Sequence, residues 1–319
     1  MTEAQKQSRE SRQTRTQERI QGVGLGLRWE FIDELLEQKP RLSFVEISPE
    51  NYMGRGGYFD EALDRAAAVW PIVTHGLTMS LGGVDPLRED YLRELAAFLE
   101  RVKTPWHSDH LCFSTFGGVM LHDLLPIPFK ASEVSRIADR IKHAQDVLQR
   151  PMAIENVSFY LHPGKREMTE AEFIARVCEE ADCGLMLDVN NAWVNATNFG
   201  YDVDAWMRTV PLDRVVQMHV AGHDWYTEDE WEPAARPTSA EEREGKLIVD
   251  THGAPCEDEV LALLERTLEK TGPVPVLLER DQSIPPLDEL LSEVARIEAI
   301  WTRATSKAAA RAPSPAEAR

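Results

Sequence analysis

The most constraining feature of this sequence is a regular alternation of short apolar runs with longer amphipathic stretches. Eight runs rich in Val, Ile and Leu are typical of strands that are buried on both faces of a parallel sheet. These predicted strands span Gly22–Leu27, Ser43–Ser48, Pro71–His75, Trp106–Cys112, Met152–Val157, Gly184–Asn190, Val215–Val220 and Pro275–Glu279. Predicted helices lie between them over Trp29–Glu37, Asp90–Val102, Ser132–Gln149, Glu170–Glu180 and Glu257–Lys270. Eight such βα units predict a closed (β/α)8 TIM barrel, in preference to an open doubly wound sheet.

The two ends of the chain differ in composition from the barrel region. Residues 1–21 are polar and contain no apolar stretch of the kind found in secretory signals, so we expect a polar tail and a cytoplasmic protein. Residues 302–319 are rich in Ala, Ser, Pro and Arg and are predicted to be disordered. The catalytic barrel domain is therefore expected over residues 22–301. No run of 18 apolar residues occurs, so no membrane-spanning helix is expected.

The charge of the chain limits its partners. The formal net charge is −19, with 54 acidic and 35 basic residues. An acidic surface repels a phosphate backbone, so nucleic acid is not expected as a partner. A basic peptide or protein would be attracted, although an acidic surface also serves simply to keep a protein solvated.

Several common site motifs are absent or incomplete. The cysteines form no C-x-x-C pair, so we expect reduced thiols and no structural zinc site. The GVGLGL run lacks the third glycine spacing of a dinucleotide-binding loop, and a tight barrel strand explains it better. No G-x-S-x-G motif occurs, so a serine hydrolase is not supported.

Residue types that bind metals follow nearly every predicted strand, at the end where TIM barrels place their chemistry. They are Glu46, His75, His107, Asp109, His110, Glu155, Asp188, Asn190, His219, His223 and Glu279, and the connection after the seventh strand adds Asp250 and His252. A single His or Glu at a strand end is usually only hydrogen-bonded or exposed. Burying so many carboxylates together would be costly without cations. Because His and carboxylate ligands suit transition metals, the sequence predicts a metal centre.

Strand geometry predicts which of these side chains can share a site, because residues two apart lie on the same face. Asp188 and Asn190 can therefore both point into the barrel. Asp250 and His252 can do so as well, if their segment is extended.

The same geometry separates two pairs of histidines. His107 and His110 are three residues apart, so at most one of them is expected to bind a metal directly. His219 and His223 share a face but lie about 13 Å apart along an extended strand. They cannot bind one ion unless the chain bends at Gly222.

One connection is unusually long for a compact barrel. Gly222–Gly253 follows the seventh strand and contains Trp225, Tyr226 and Trp231, with an acidic cluster over Glu228–Glu232. Its aromatic content predicts a lid or a wall of the substrate site.

Nine short motifs occur in order along the chain: GVGLGLR, FVEISPENY, THGLTMSLGG, SDHLCF, IENVS, DVNNAWVNA, MHVAGH, DTHG and LLERD. Together they closely resemble the multinuclear non-heme iron-dependent oxidative enzymes. These are TIM-barrel proteins that modify ribosomally made peptides, and they include the oxidase of methanobactin biosynthesis. The resemblance covers residues 22–281 and implies a barrel of the xylose-isomerase-like type.

The resemblance also implies roles for the residues at the strand ends. One iron would be held by His75, His110 and a bridging Glu155, a second by Glu155, Asp188, His219 and Glu279, and a third by Asn190, Asp250 and His252. The other strand-end residues would contact ligands or substrate, and Glu155, His107, Asp109 and His223 are the candidate catalytic residues.

The activity implied by the resemblance is oxidation of a residue, most often cysteine, in a ribosomally synthesised precursor peptide. It implies two or three iron ions in mixed Fe(II)/Fe(III) states, dioxygen as co-substrate and a small partner protein that recruits the peptide. Three alternatives use the same barrel: a divalent-metal sugar isomerase, a hydrolase such as an apurinic endonuclease, and a metal-containing peptide-binding scaffold. An endonuclease would be expected to have a basic groove, which the acidic composition does not favour.

Overall fold

Eight parallel strands close into a barrel in the computed structural model, which describes residues 20–229, 231–239 and 241–311. They are β1 (Val23–Gly26), β2 (Val45–Ile47), β3 (Ile72–Gly76), β4 (His107–His110), β7 (Met152–Glu155), β8 (Gly184–Asp188), β9 (Val215–Val220) and β13 (Val276–Leu278). Neighbours in this order pair in parallel, and β13 pairs with β1 to close the barrel. The predicted TIM barrel is therefore confirmed, and each of its strands lies where the apolar pattern predicted it.

Two small antiparallel sheets are inserted after barrel strands. The hairpin β5 (Phe113–Phe116) and β6 (Val119–Leu125) follows β4, and β10 (Asp224–Thr227), β11 (Pro233–Ala234) and β12 (Lys246–Val249) follow β9. The second sheet occupies the long connection that was predicted to be a lid or a wall. Trp225 and Ile248 are buried against Val194, so the base of this sheet is fixed to the barrel.

Nine helices have assigned bounds within the described residues. They are α1 (Ile32–Gln38), α2 (Tyr58–Ala67), α3 (Glu89–Val102), α4 (Ala131–Leu148), α5 (Glu170–Ala181), α6 (Val189–Phe199), α7 (Val203–Thr209), α8 (Asp258–Thr271) and α9 (Leu287–Arg311). All five predicted helices are present, and α2, α6, α7 and α9 were not predicted. Within the described part of the chain, no helix combines the length and apolar composition that a membrane crossing needs.

The last helix continues past residue 302, where a disordered tail was expected to begin. Ala304 is fully buried, and Arg303 and Lys307 form ion pairs with Glu265 on α8. The expectation of disorder is therefore wrong for residues 302–311. This stretch packs against α8, and its alanines favour a helix. The remainder of that tail and most of the predicted N-terminal tail lie outside the described residues.

The inside of the barrel is built in two layers. The lower layer is an apolar cluster of Ile20, Phe44, Val73, Trp106, Ala153, Met186, Val216 and Leu277, which is separate from the main core between barrel and helices. Side chains two positions further along a strand lie on the same face. Five of these apolar residues are followed at that spacing by the polar residues Glu46, His75, Glu155, Asp188 and Glu279. The apolar layer is therefore the floor of a polar site at the C-terminal mouth.

Candidate metal centre

Histidines and carboxylates, all buried except the half-buried His252, meet at the mouth of the barrel in three overlapping groups. The groups are His75, His110 and Glu155; Glu155, Asp188 and His219; and Asp188, His252 and Glu279. Within each group, one possible ligand atom from every residue lies within 4.8 Å of the others. Glu155 belongs to the first two groups and Asp188 to the last two, so the three groups form one continuous chain.

In the first group, two imidazoles point at one carboxylate oxygen. Nε2 of His75 and Nε2 of His110 lie 3.1 and 3.0 Å from Oε2 of Glu155. Their Nδ1 atoms are held from behind, by Ser108 Oγ at 2.9 Å and by the Gly76 carbonyl oxygen at 3.1 Å. Such contacts fix the ring orientation of a metal-binding histidine.

In the second group, His219 is held between carboxylates. Its Nδ1 lies 3.2 Å from Glu279 Oε2 and 3.8 Å from Glu155 Oε1. Its Nε2 lies 3.0 Å from Glu46 Oε1, and the Gln217 side chain donates a hydrogen bond of 2.5 Å to Glu46 Oε2. Glu46 therefore contacts His219 on the side away from the group.

Asp188 is placed by the switch from β8 to α6. It caps α6 by accepting a hydrogen bond from the Asn191 amide, while Asn156 bonds both its backbone N–H and its carbonyl oxygen at 3.0 and 2.8 Å. Its second carboxylate oxygen has no hydrogen-bond partner among the described residues. That oxygen is thus free to bind an ion that the neighbouring groups share.

Asn190 does not lie on a strand, so the alternation argument was wrong for this residue. The chain becomes helical at Val189, and the side chain of Asn190 reaches the mouth from the first turn of α6. Its Nδ2 donates to Asp250 Oδ1 at 2.7 Å, and its Oδ1 lies 2.8 Å from His223 Nδ1.

The segment with Asp250 and His252 is not extended. The two side chains were expected to share a face only if it were extended. His252 has a left-handed backbone with φ of 50°, and this turn brings its Nε2 to 2.9 Å from Asp250 Oδ1. Its Nδ1 lies 3.1 Å from Asp281 Oδ2 and 3.6 Å from Glu279 Oε2. The two residues therefore meet through a turn, and His252 also reaches the third group.

His107 and Asp109 lie on the face of β4 opposite His110. His107 Nδ1 is 3.1 Å from Thr74 Oγ1, and Asp109 Oδ2 accepts a hydrogen bond from the Met79 amide at 3.4 Å. Burial lowers the pKa of His107 to about 4 and raises the pKa of Asp109 to about 7. Neither residue belongs to any of the three groups.

His223 is also separate from His219, which agrees with the distance argument. The strand ends at Val220, and His223 Nε2 lies 3.3 Å from Glu257 Oε2. Between the two histidines, Gly222 allows a close approach, because a Cβ there would lie 1.9 Å from the Ala254 carbonyl oxygen.

Two further side chains that contact the groups were not identified in the sequence. Arg28 Nη2 lies 3.3 Å from Glu279 Oε1, and Arg28 Nε donates to Asp281 Oδ1 at 2.6 Å. Asp281 in turn orients His252. Both follow a barrel strand at the inward-facing spacing, two residues after Gly26 and Glu279, and that spacing could have indicated them.

The electrostatics of the mouth favour occupation by cations. Burial raises the pKa of Asp188 well above its usual value, and the charges of Glu155 and Asp250 add to this effect. Burial alone would lower the pKa of His219 and His252, but the neighbouring carboxylates outweigh it and raise both. Without cations, the mouth would therefore hold extra protons that bound metals would displace.

The donor atoms fit transition metals. Four buried atoms of the three groups have no hydrogen-bond partner of acceptable geometry among the described residues: Glu155 Oε2, Asp188 Oδ2, His219 Nδ1 and His252 Nε2. Imidazole nitrogens and carboxylate oxygens without thiolate are a ligand set that suits iron and its first-row neighbours.

Comparison with solved structures supports the barrel. An L-ribulose 3-epimerase superposes with a TM-score of 0.55 at 10% identity, covering 92% of this chain and 98% of that one. A xylose isomerase domain protein from Planctomyces limnophilus superposes with a TM-score of 0.50 at 16% identity, covering 91% and 98%. At these identities the likeness shows the fold alone, which is the expected xylose-isomerase-like barrel.

Comparison of sequences is more specific. A UPF0276 protein of Acinetobacter baylyi is 41% identical over 277 residues, which cover 87% of this chain and 90% of the relative. The model of the family described as "RiPP precursor modification enzyme MbnB/TglH/ChrH" matches residues 22–302. RiPPs are ribosomally synthesised and post-translationally modified peptides, and this chain belongs to that family of precursor modification enzymes.

Proposed function

We propose that this enzyme uses iron and dioxygen to oxidise a cysteine of a ribosomally synthesised precursor peptide. The observation that supports the proposal best is the chain of three buried groups joined by Glu155 and Asp188. Shared carboxylates are what a multinuclear centre needs, since each can bind two ions at once. A single structural ion would not explain three groups of this kind.

The proposed ligands follow from the groups. His75, His110 and Glu155 would hold the first ion, and Glu155, Asp188 and His219 the second. Glu279 lies between His219 and His252, so it is available to the second ion or the third.

The third ion would be held by His252 with Asp188, and Asp250 lies at its edge. Asn190 could join this set only if its amide turned, because its oxygen now faces His223.

Bound iron in mixed Fe(II)/Fe(III) states would supply Lewis acidity and would pass electrons from the thiol substrate to dioxygen. The protein side chains would supply the geometry. Ser108, Gly76 and Glu46 hold the histidine rings from behind, and Asn156 holds the backbone of Asp188. Ligands that are fixed in this way need little reorganisation when substrate arrives.

The rim of the mouth offers a surface for a peptide. Tyr160, Leu161 and Trp231 are exposed at 39, 62 and 53%, and the rings of Tyr160 and Trp231 meet edge to face at 6.0 Å. The Tyr160 hydroxyl accepts a hydrogen bond of 2.9 Å from the Asp250 amide, so this rim adjoins the metal ligands. We propose that a precursor peptide crosses the rim, presented by a small partner protein.

Metal analysis of the purified protein tests the proposal first. We expect iron at two or more ions per chain by mass spectrometry after expression in iron-replete medium. Anaerobic addition of N-acetylcysteine methylamide should then produce a thiolate-to-iron absorption band, and N-acetylserine methylamide should not. Stoichiometric zinc or magnesium without iron would overturn the proposal, and isomerisation of a ketose by that protein would favour a sugar isomerase.

A further inference from the structure

A second cavity lies beside the barrel mouth, between the loop after β7 and the helices α5 to α7. Its volume is about 520 Å³, and Phe129, Phe159, Phe199, Tyr201 and Trp206 contribute rings to its lining. A space of this size lies within the range of small-molecule sites and exceeds one amino-acid side chain. None of the three candidate metal groups contributes to its lining.

The cavity contains a buried acid, Glu170, which is 8% exposed. Trp206 Nε1 and the Tyr201 hydroxyl donate to its Oε2 at 3.0 and 3.3 Å, and Asn195 Nδ2 donates to its Oε1 at 3.4 Å. All three donors are neutral, and no ion pair to Glu170 occurs within the described ranges. A carboxylate can accept about four hydrogen bonds, so Oε1 retains capacity for another donor.

A purely structural role explains only part of this arrangement. Glu170 opens α5, where a negative charge is favoured by the helix dipole. That position does not account for an open cavity with aromatic walls around a buried acid. Two basic side chains, His162 and Arg166, line the cavity. Arg166 is exposed and its Nη1 lies 3.3 Å from His162 Nε2, and neither forms an ion pair with Glu170.

We propose that this cavity binds the protonated amine of an aliphatic side chain, such as lysine, with the ammonium on Glu170 and the methylenes against the rings. An ammonium group donates the charge-assisted hydrogen bond that the free Oε1 capacity can accept. Aromatic faces attract cations when water is excluded. The chain's net charge of −19 also favours a basic ligand.

The position of the cavity indicates which molecule carries the amine. Asn195 bonds Glu170 and also the backbone of Val157 and Phe159, while Ser158 between them donates to Asp250 Oδ2 at 3.1 Å. One short loop therefore separates the cavity from the candidate metal ligands. On the proposed function, the amine belongs to a basic residue of the precursor peptide that is held beside the modified cysteine.

Titration with a pair of small probes tests the site. The probes are n-pentylamine hydrochloride and n-pentanol. Binding is monitored through the indole N–H signal of Trp206 in ¹H–¹⁵N spectra, and the Trp206→Phe variant assigns that signal. We expect the amine to bind about tenfold more tightly than the alcohol at pH 7.5, which is the size of one charge-assisted contact. Equal affinities would overturn the proposal, because they would show an apolar cavity only.

Three variants locate the interaction. Glu170→Gln should weaken amine binding about tenfold and leave alcohol binding unchanged, whereas Glu180→Gln removes the same charge from the exposed end of α5 and should change neither. Ala205→Phe fills the cavity and leaves residue 170 as glutamate, so it should weaken the binding of both probes. The site can therefore be tested even if Glu170→Gln fails to fold. Amine binding that survives both Glu170→Gln and Ala205→Phe would place the amine elsewhere.

These measurements do not depend on activity. A protein without iron that still binds the amine through Glu170 would overturn the proposed function and retain the cavity site. An iron-loaded protein that oxidises a cysteine peptide but does not distinguish amine from alcohol would support the proposed function and overturn the cavity site.

Discussion

Oε2 of Glu155 lies 3.0 Å from Nε2 of His110, its direct register partner on the neighbouring barrel strand. Burial alone would lower the pKa of His110, but the charge of Glu155 outweighs it and raises that pKa to about 9. His110 and His75 in turn outweigh the effect of burial on Glu155 and lower its pKa. The two side chains thus hold a proton where, on the proposed function, an iron ion would bind.

The bridging role of Glu155 predicts the effect of its removal. Glu155→Ala should lose at least one iron per chain and most activity, while the barrel keeps its circular dichroism spectrum, because the apolar layer beneath is unchanged. Glu46→Gln is the matched control. It keeps the size of a neighbouring side chain that contacts a ligand, and it should lower the affinity for metal by no more than about 10–100-fold. Full metal content and normal turnover in Glu155→Ala would exclude the bridge.

The two histidines of β4 should behave differently. His110→Ala should deplete iron, because His110 points into the first group. His107→Ala should retain iron and lose stability, because His107 packs on the outer face against Thr74. Iron content and thermal unfolding of both variants decide the matter, and loss of iron from His107→Ala alone would contradict the placement of the site.

Metal removal should make stability depend on pH. In the metal-free protein the pKa values of His219 and His252 in the folded state lie well above 6.5. Their contribution to the free energy of unfolding is therefore present below pH 6.5 and is lost as the pH rises. Asp188, whose folded pKa is raised, acts in the same direction because its proton is retained only in the folded state. Chelated protein should therefore show a melting temperature that falls from pH 6.5 to 9 more steeply than that of iron-loaded protein. Parallel curves would contradict this.

The exposed Trp231 offers a sharp test of the predicted lid. Trp231→Ala should weaken peptide binding and lower the ratio of product formed to dioxygen consumed, because a closed site excludes water and protects reactive intermediates. Phe116→Ala on the hairpin after β4 removes a side chain of similar exposure, 62% against 53%, and serves as the control. If affinity and ratio stay unchanged in Trp231→Ala, this part of the segment is only a spacer.

The buried Glu170 predicts a pH effect outside the metal centre. Burial raises its pKa to about 7 in a cavity that it shares with Arg166, His162, Tyr201 and Asp202. The folded state keeps this proton after the unfolded chain has lost it near pH 4.5, so stability falls as pH rises from there to about 7. The free energy of unfolding of Glu170→Gln, relative to that of wild type, should therefore rise by up to about 3 kcal/mol as the pH increases across that range. Chemical denaturation at several pH values measures it, and a constant difference would refute the raised pKa.

Much of the fold could be predicted from local patterns. Alternating apolar runs predict the eight strands because burial on both faces requires continuous hydrophobicity. The period of two along a strand also separates His110 from His107, since this depends only on backbone geometry within four residues. The long helix α9 was not predicted, and its last residues were taken for a disordered tail, because its contacts with Glu265 on α8 cannot be derived from local composition.

The sequence by itself therefore determined the barrel, the type of residues at its mouth and the face on which most of them lie. Only the tertiary structure decided which of them meet. Asn190 reaches Asp250 from a helix turn, and His252 reaches the mouth through a left-handed turn. Glu155 meets His75 and His110, and Glu170 lies in a cavity lined by aromatic rings. Both arrangements bring together residues that are far apart in the chain. Barrel closure and the packing of helices set those distances, and no local periodicity encodes them.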